Sequence, residues 1–347
     1  MISSMVTGTG ASYVDALSTQ TPILEAQGLR KSYDSGEALR GLSFSLQAGH
    51  VLGFLGPNGA GKTTTIRILT TILEPSSGHF SVNGISSQYP KRIRHMIGVL
   101  PEGLGFPKGI TGIEYLIYFS QLYGRAGAAA RRVGLELLKD VGLQNRADSA
   151  IGTYSHGMRQ RLGIARALVN DPKVVFLDEP TLGLDPRGQQ ELLAMIRRIA
   201  RERNAGVILS SHLLSEIEGI CDDVVILNAG QVVAQGTVAE VTGQTQKKVV
   251  PRSTIRIRVP PPSLAQAQQV LAATPTIDRV ASADTTTGWL AVELAEPGDD
   301  GTPPTVEHTI NRILEALISA DIPIVGLEVA GGRLQDVFLQ LTAEVIE

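Results

Sequence analysis

The sequence predicts an α/β fold built on a largely parallel sheet, and three observations carry that prediction. Apolar, β-branched runs alternate with helical patterns from about Pro22 to Gly243, which is how a parallel sheet with crossover helices reads. One of those runs leads into a Gly-rich loop that opens a helix. Hydrophobic residues make up 43 % of the 347 residues but aromatics only 4 %, with 37 glycines and 18 prolines, so the core is packed by Ala, Val, Leu and Ile between many turns.

The candidate strands are Val51–Leu55, Ile97–Leu100, Val174–Leu177, Val207–Ser210 and Val224–Leu227. Four of them run into short polar loops, where ligands sit in open α/β sheets. A stretch with no convincing strand, Gly103 to Leu143, reads as helices. Tyr115, Leu116, Phe119 and Leu122 share one face there, and Val133, Leu137, Leu138 and Val141 another. This is a helical insert, bounded at about 103–158. Beyond a polar linker, GQTQKKVVPRS, lies the order strand (Thr254–Val259), helix (Ser263–Ala273), strand (Ile277–Ala281), strand (Trp289–Leu294), helix (Val306–Ala320), strand (Ile324–Val329). That βαββαβ order is a ferredoxin-like α+β arrangement. Glu296–Pro304 is a loop by composition, and a last helix, Arg333–Ala343, carries an apolar stripe of Leu334, Val337, Phe338 and Leu341. The expected division is a flexible tail (1–21), an α/β domain (22–243) and a C-terminal α+β domain (244–347).

With 31 basic and 34 acidic residues and a net charge of -3, the chain has no basic footprint, and no nucleic-acid partner is expected. The single cysteine, Cys221, excludes an intrachain disulfide and any multi-cysteine metal site. The longest apolar stretches are interrupted; Ile313–Val329 contains Glu315, Asp321, Pro323 and Glu328. The first 20 residues lack the basic start and apolar stretch of a signal peptide.

The strongest chemical signal is Gly56-Pro57-Asn58-Gly59-Ala60-Gly61-Lys62-Thr63. It follows an apolar strand and opens a helical pattern, the context that makes G-x-x-x-x-G-K-[ST] a P-loop. The glycines let backbone N–H groups turn inward around a polyphosphate, and the helix N-terminus adds a partial positive charge. Lys62 suits the β- and γ-phosphates, and the Thr63 hydroxyl suits Mg²⁺. Such a loop needs a carboxylate on a neighbouring strand. Asp178 supplies it at the end of Val174–Leu177, with Glu179 beside it. One acid can hold the metal and the other polarise the attacking water. A second anion-ready helix start lies at Tyr154-Ser155-His156-Gly157-Met158, where Ser155 suits an N-cap and Gly157 permits close backbone approach.

From Leu24 to Glu240 this order of motifs resembles the ATP-binding subunits of ABC transporters. The resemblance implies the P-loop ABC ATPase fold with its helical insert, ATP and Mg²⁺ as cofactors, and ATP hydrolysis. Ser155-His156-Gly157-Met158 falls on the family's signature motif, usually Leu-Ser-Gly-Gly-Gln. Here Tyr154 replaces the leucine, His156 the first glycine and Met158 the glutamine, while the phosphate-contacting Ser155 and Gly157 are kept. Thr181–Asp185 matches the D-loop, His212 the switch histidine that reaches the γ-phosphate, and Tyr33 the aromatic that stacks on adenine. Thr64, next to Thr63, falls among the nucleotide-binding positions. Glu102 stands where the family usually has a glutamine. It can still accept from a metal-bound water, but it adds negative charge beside Asp178 and Glu179.

Pro101-Glu102, a Ser-x-Gly-Met-x-Gln-Arg signature and the ending Leu334–Thr342 are similar to the ABC-2 exporter branch, which includes daunorubicin-resistance and sodium-efflux ATPases. That resemblance implies a head-to-tail homodimer on the cytoplasmic face of the membrane, attached through a separate permease that docks on the helical insert. In it Glu179 is the general base, Asp178, Thr63 and Glu102 serve the metal, and Ser155–Met158 face the partner chain's ATP. A soluble ABC ATPase acting on DNA or the ribosome fits less well, since the chain has one cassette, no heptad run and one cysteine. An ATP-dependent switch with a C-terminal sensor is the other alternative.

Overall fold

The computed structural model describes residues 21–34, 36–103, 105–211, 214–242, 254–274, 277–284, 288–294 and 306–329. The N-terminal tail, the linker, the Glu296–Pro304 loop, the helix expected at Arg333–Ala343 and His212 lie outside these residues.

A six-stranded sheet forms the centre of the α/β part. Its strands are β3 (Val51–Leu55), β6 (Ile97–Leu100), β7 (Val174–Asp178), β8 (Gly206–Ser210), β9 (Asp223–Asn228) and β10 (Gln231–Thr237), in the order β10-β9-β3-β8-β7-β6. All pairings are parallel except that of β10 with β9. The five strands read from the sequence are all present, extended by a residue at some ends.

Each central strand is apolar on both faces because both are covered. Val51 and Leu55 join Val175, Leu177, Val207 and Leu209 on one side, under helices α5 (His156–Ala167), α6 (Pro186–Arg203) and α7 (Leu214–Ile220). A Cβ on Gly53 would lie 2.7 Å from Ile217 and 3.0 Å from the Cys221 sulfur, so a side chain there would drive α7 off β3. Leu52, Phe54, Phe176 and Ile208 face the other way, against α1 (Lys62–Leu69) and a second sheet. Fully buried side chains such as Phe54, Phe80 and Phe176 are each worth about 1.5–3 kcal/mol in apolar burial.

That second sheet corrects the sequence reading. It is antiparallel, ordered β2-β1-β4-β5, from β1 (Leu24–Tyr33), β2 (Gly36–Leu46), β4 (Ser77–Val82) and β5 (Ile85–Ser86). None of these four strands was expected, nor was β10. Register shifts between Ala26 and Leu29, Leu29 and Arg30, and Lys31 and Ser32 break the alternation along β1. In β2 the inward residues are Leu39, Leu42, Phe44 and Leu46 rather than Val or Ile.

The insert is helical as expected. Helix α2 (Pro90–Arg94) precedes β6, and α3 (Gly112–Leu122) and α4 (Gly127–Asp140) follow it. Thr111 and Glu114 form a reciprocal capping box at the start of α3. Tyr115, Leu116, Leu137, Leu138 and Val141 are buried, but the expected apolar stripe runs past the core, leaving Leu122 62 % exposed.

The C-terminal residues form β11 (Thr254–Arg258), α8 (Leu264–Ala272), β12 (Ile277–Asp284), β13 (Trp289–Leu294), α9 (Val306–Ser319) and β14 (Gly326–Val329). The sheet order is β12-β13-β11-β14, entirely antiparallel, and its apolar cluster is separate from the two above. The βαββαβ reading therefore holds element by element; the fourth strand starts two residues later than expected.

Candidate functional site

The carboxyl ends of β3, β6 and β7 converge on one cleft of about 460 Å³. It is lined by Asn58–Thr64 of the loop after β3, by Glu102 after β6, and by Asp178 and Glu179 after β7. Leu182, from the segment matched to the D-loop, and Ala38, which was not anticipated, complete it. Gly56 and Pro57 contribute carbonyls rather than lining. Lys62 Nζ donates to Gly56 O at 2.6 Å and to Pro57 O at 3.1 Å, so the ammonium lies over the loop. Burial pulls Lys62 below the ordinary lysine range, opposed by the nearby Glu179 and Asp178 carboxylates.

Two glycines here are required by space. A Cβ on Gly56 would sit 2.5 Å from the Leu227 carbonyl oxygen. Gly61 has φ +105°, and its Cβ would sit 2.7 Å from a Leu39 methyl and 3.0 Å from Ala38 O. Gly61 is also the N-cap of α1 and offers no side chain to cap it. The first N–H groups of that helix are left for an anion.

The two acids differ by their backbones. Asp178 ends β7 and accepts a 2.6 Å hydrogen bond from Ser210 Oγ at its Oδ1. Glu179 has φ +47°, the left-handed region that costs a non-glycine residue roughly 1–3 kcal/mol. This turns its side chain away from the direction β7 would give it. Ser210 Oγ also accepts from Glu179 N–H at 3.1 Å, so one hydroxyl fixes both acids. Ser210 was missed as a site residue. Its signal is the register of β8 opposite Asp178, which one sequence does not disclose.

The signature residues form a different cleft. Ser155 caps α5 by accepting from Met158 N–H at 3.2 Å. Ser155, His156, Gly157 and Met158 line this cleft with Asp185 and Gly183. The two clefts share no lining residue, but the 181–185 loop runs between them: Leu182 lines the first, while Gly183, Leu184 and Asp185 line the second. His156 Nε2 donates to Leu182 O at 2.9 Å, tying signature to loop within the chain. Tyr33 is not brought to the P-loop cleft. It is 44 % exposed at the end of β1, with Lys31 Nζ 5.4 Å from its ring centroid.

Comparison with known proteins agrees with this geometry. Residues 39–182 match the family model described as ABC transporter. The chain is 34 % identical over 327 residues to the uncharacterized ABC transporter ATP-binding protein YhcH of Bacillus subtilis, covering 94 % of this chain and 97 % of that one. It is 37 % identical to the daunorubicin/doxorubicin resistance ATP-binding protein DrrA of Streptomyces peucetius, covering 73 % and 76 %. Among solved structures, an ATP-binding subunit of an ABC transporter superposes with a TM-score of 0.58 at 32 % identity, covering 66 % of this chain and 95 % of that one.

Proposed function

The chain belongs to the family of ABC transporter ATP-binding proteins, and on that premise we propose that it is the ATPase subunit of an exporter, driving a separate permease by closing and reopening a head-to-tail homodimer. The observation that carries this reading is the pair of unlike half-sites in one chain. One cleft has a P-loop and three acids; the other has a capped helix start and no P-loop. Facing two copies head to tail gives each P-loop a signature from its partner.

In this reading the P-loop amides, Lys62, Thr63 and Thr64 bind the ATP phosphates. No cluster of three or more His, Cys, Asp or Glu able to hold a metal occurs among the described residues. Mg²⁺ needs only one or two protein carboxylates when phosphates supply the rest. Thr63, Asp178 and Glu102 would hold it, and it would neutralise charge on the phosphates. Glu179 takes the proton of the attacking water. His212 orients the γ-phosphate from the segment after β8. Ser155 and Gly157 close on the partner's γ-phosphate, and the Asp185 loop follows them.

The proposed permease surface lies on the insert. Tyr118 and Leu122 are one helical turn apart on α3, 56 % and 62 % exposed. Tyr123 stacks edge-on with His95, joining them to α2, where Arg92 lies over exposed Tyr89. Among the described residues no helix is long and apolar enough to cross a membrane. Attachment to the cytoplasmic face through a partner is consistent with that. Affinity purification of the full-length chain from membranes should recover a polytopic protein. Tyr118→Asp with Leu122→Asp should abolish that recovery and leave nucleotide binding intact. Recovery of ribosomes or DNA instead would favour the soluble alternative.

We assign residues 22–243 to the ATPase domain and 244–347 to a second domain that supports the dimer. Their apolar clusters have no residue in common. A chain ending at Gly243 should fold and bind ATP but associate more weakly. An unchanged dimer dissociation constant in sedimentation would remove that role.

A further inference from the structure

Among the described residues, the mechanism above leaves one buried carboxylate unused. Glu216, in the first turn of α7, is 5 % exposed, and its Oε2 accepts two hydroxyls at once. Thr181 Oγ1 donates at 2.9 Å and Ser211 Oγ at 2.6 Å, and both residues are themselves buried. Glu216 Oε1 has no hydrogen-bond partner. A carboxylate in such a place is costly against an apolar side chain of the same size. Packing does not account for it, but its two partners do. Thr181 lies two residues after Glu179, and Ser211 immediately precedes His212.

Glu179 is held in its left-handed conformation from two sides. Ser210 grips the side before it, through the Glu179 N–H and Asp178. After it come buried Pro180, which has no N–H to donate, and Thr181. Leu182 N–H closes the turn on Glu179 O at 3.2 Å. On that second side the Thr181 hydroxyl anchors the turn, and it ends on Glu216. We propose that Glu216 is a positioning residue for hydrolysis. It fixes the Glu179 turn through Thr181 and ties that turn to Ser211, just after β8. This rests on Glu179 being the base.

The test uses the full-length chain and measures kcat, KM for ATP and Tm. Thr181→Val keeps the side-chain shape and removes the donor; Glu216→Leu removes the acceptor. Each should lower kcat by about tenfold or more with KM changed less than about twofold, the pattern of an interaction needed for the chemical step alone. Glu216→Gln should retain kcat within about threefold, because an amide oxygen can accept both hydroxyls. A merely structural role would lower Tm while leaving kcat per folded molecule unchanged. If Glu216→Leu does not fold, Thr181→Val decides. Wild-type kcat in Thr181→Val, or loss seen only in KM, overturns the proposal. Glu179→Gln is run alongside. If it is inactive while Thr181→Val is normal, only the positioning role fails; if it hydrolyses normally, the base assignment itself fails.

Discussion

Glu179→Gln is expected to bind ATP with near-native affinity and to lose turnover by about 10²–10⁴-fold, the range typical of an essential general base. The substitution keeps the side-chain shape, and the backbone that aims it is held by Ser210, so the amide should occupy the carboxylate's place. What it loses is the ability to take a proton. Lys62→Ala should fail earlier, at binding, because its ammonium serves the phosphates whether or not water attacks. Equilibrium nucleotide binding and steady-state turnover separate the two. A Glu179→Gln protein turning over at the wild-type rate would remove Glu179 from the mechanism and leave Asp178 or Glu102 as the remaining acids of the cleft.

The second large effect concerns sharing between chains. Lys62→Ala and Ser155→Ala homodimers should each be nearly inactive. Co-expressed, they should regain activity. In a mixed dimer the two lesions fall on one site, and the other site keeps an intact P-loop and an intact signature. Random pairing makes half the dimers mixed, so about a quarter of all sites should be whole by counting alone. If P-loop and signature served one site within a chain, no whole site could form. Vanadate trapping of nucleotide reads the single whole site even where steady turnover needs both. Mixed dimers that neither hydrolyse nor trap would defeat the shared-site reading.

Much of this was legible because parallel strands announce themselves. Buried on both faces, Val51–Leu55 and Val174–Leu177 read as unbroken apolar runs, and the motifs sit at their ends. The antiparallel sheet was hidden for the opposite reason. Its strands face water on one side, its first strand bulges, and Leu carries the inward positions of β2. The P-loop, Asp178, Glu179 and Glu102 were found because they are contiguous or end a strand, and the structure gathers them in one cleft. Ser210 and Glu216 were not found. A serine at a strand end and a glutamate in a short helix carry no local signature; their meaning comes from the register of β8 with β7 and the docking of α7. Tyr33 marks the reverse limit, since it was assigned by likeness and lies outside the lining of the cleft.

The left-handed turn at Glu179 has a consequence for the order in which the chain becomes an enzyme. Strand β7 can form with β6 early, but nothing in it favours φ +47° at a glutamate. That conformation persists only where surrounding structure over-determines it. The hydroxyls and carboxylate that do so arrive from Ser210 and Glu216, more than thirty residues further along. Strand β3, which leads into the P-loop, takes its neighbours β8 and β9 from that same later stretch, so one part of the chain completes both the nucleotide cradle and the turn at Glu179.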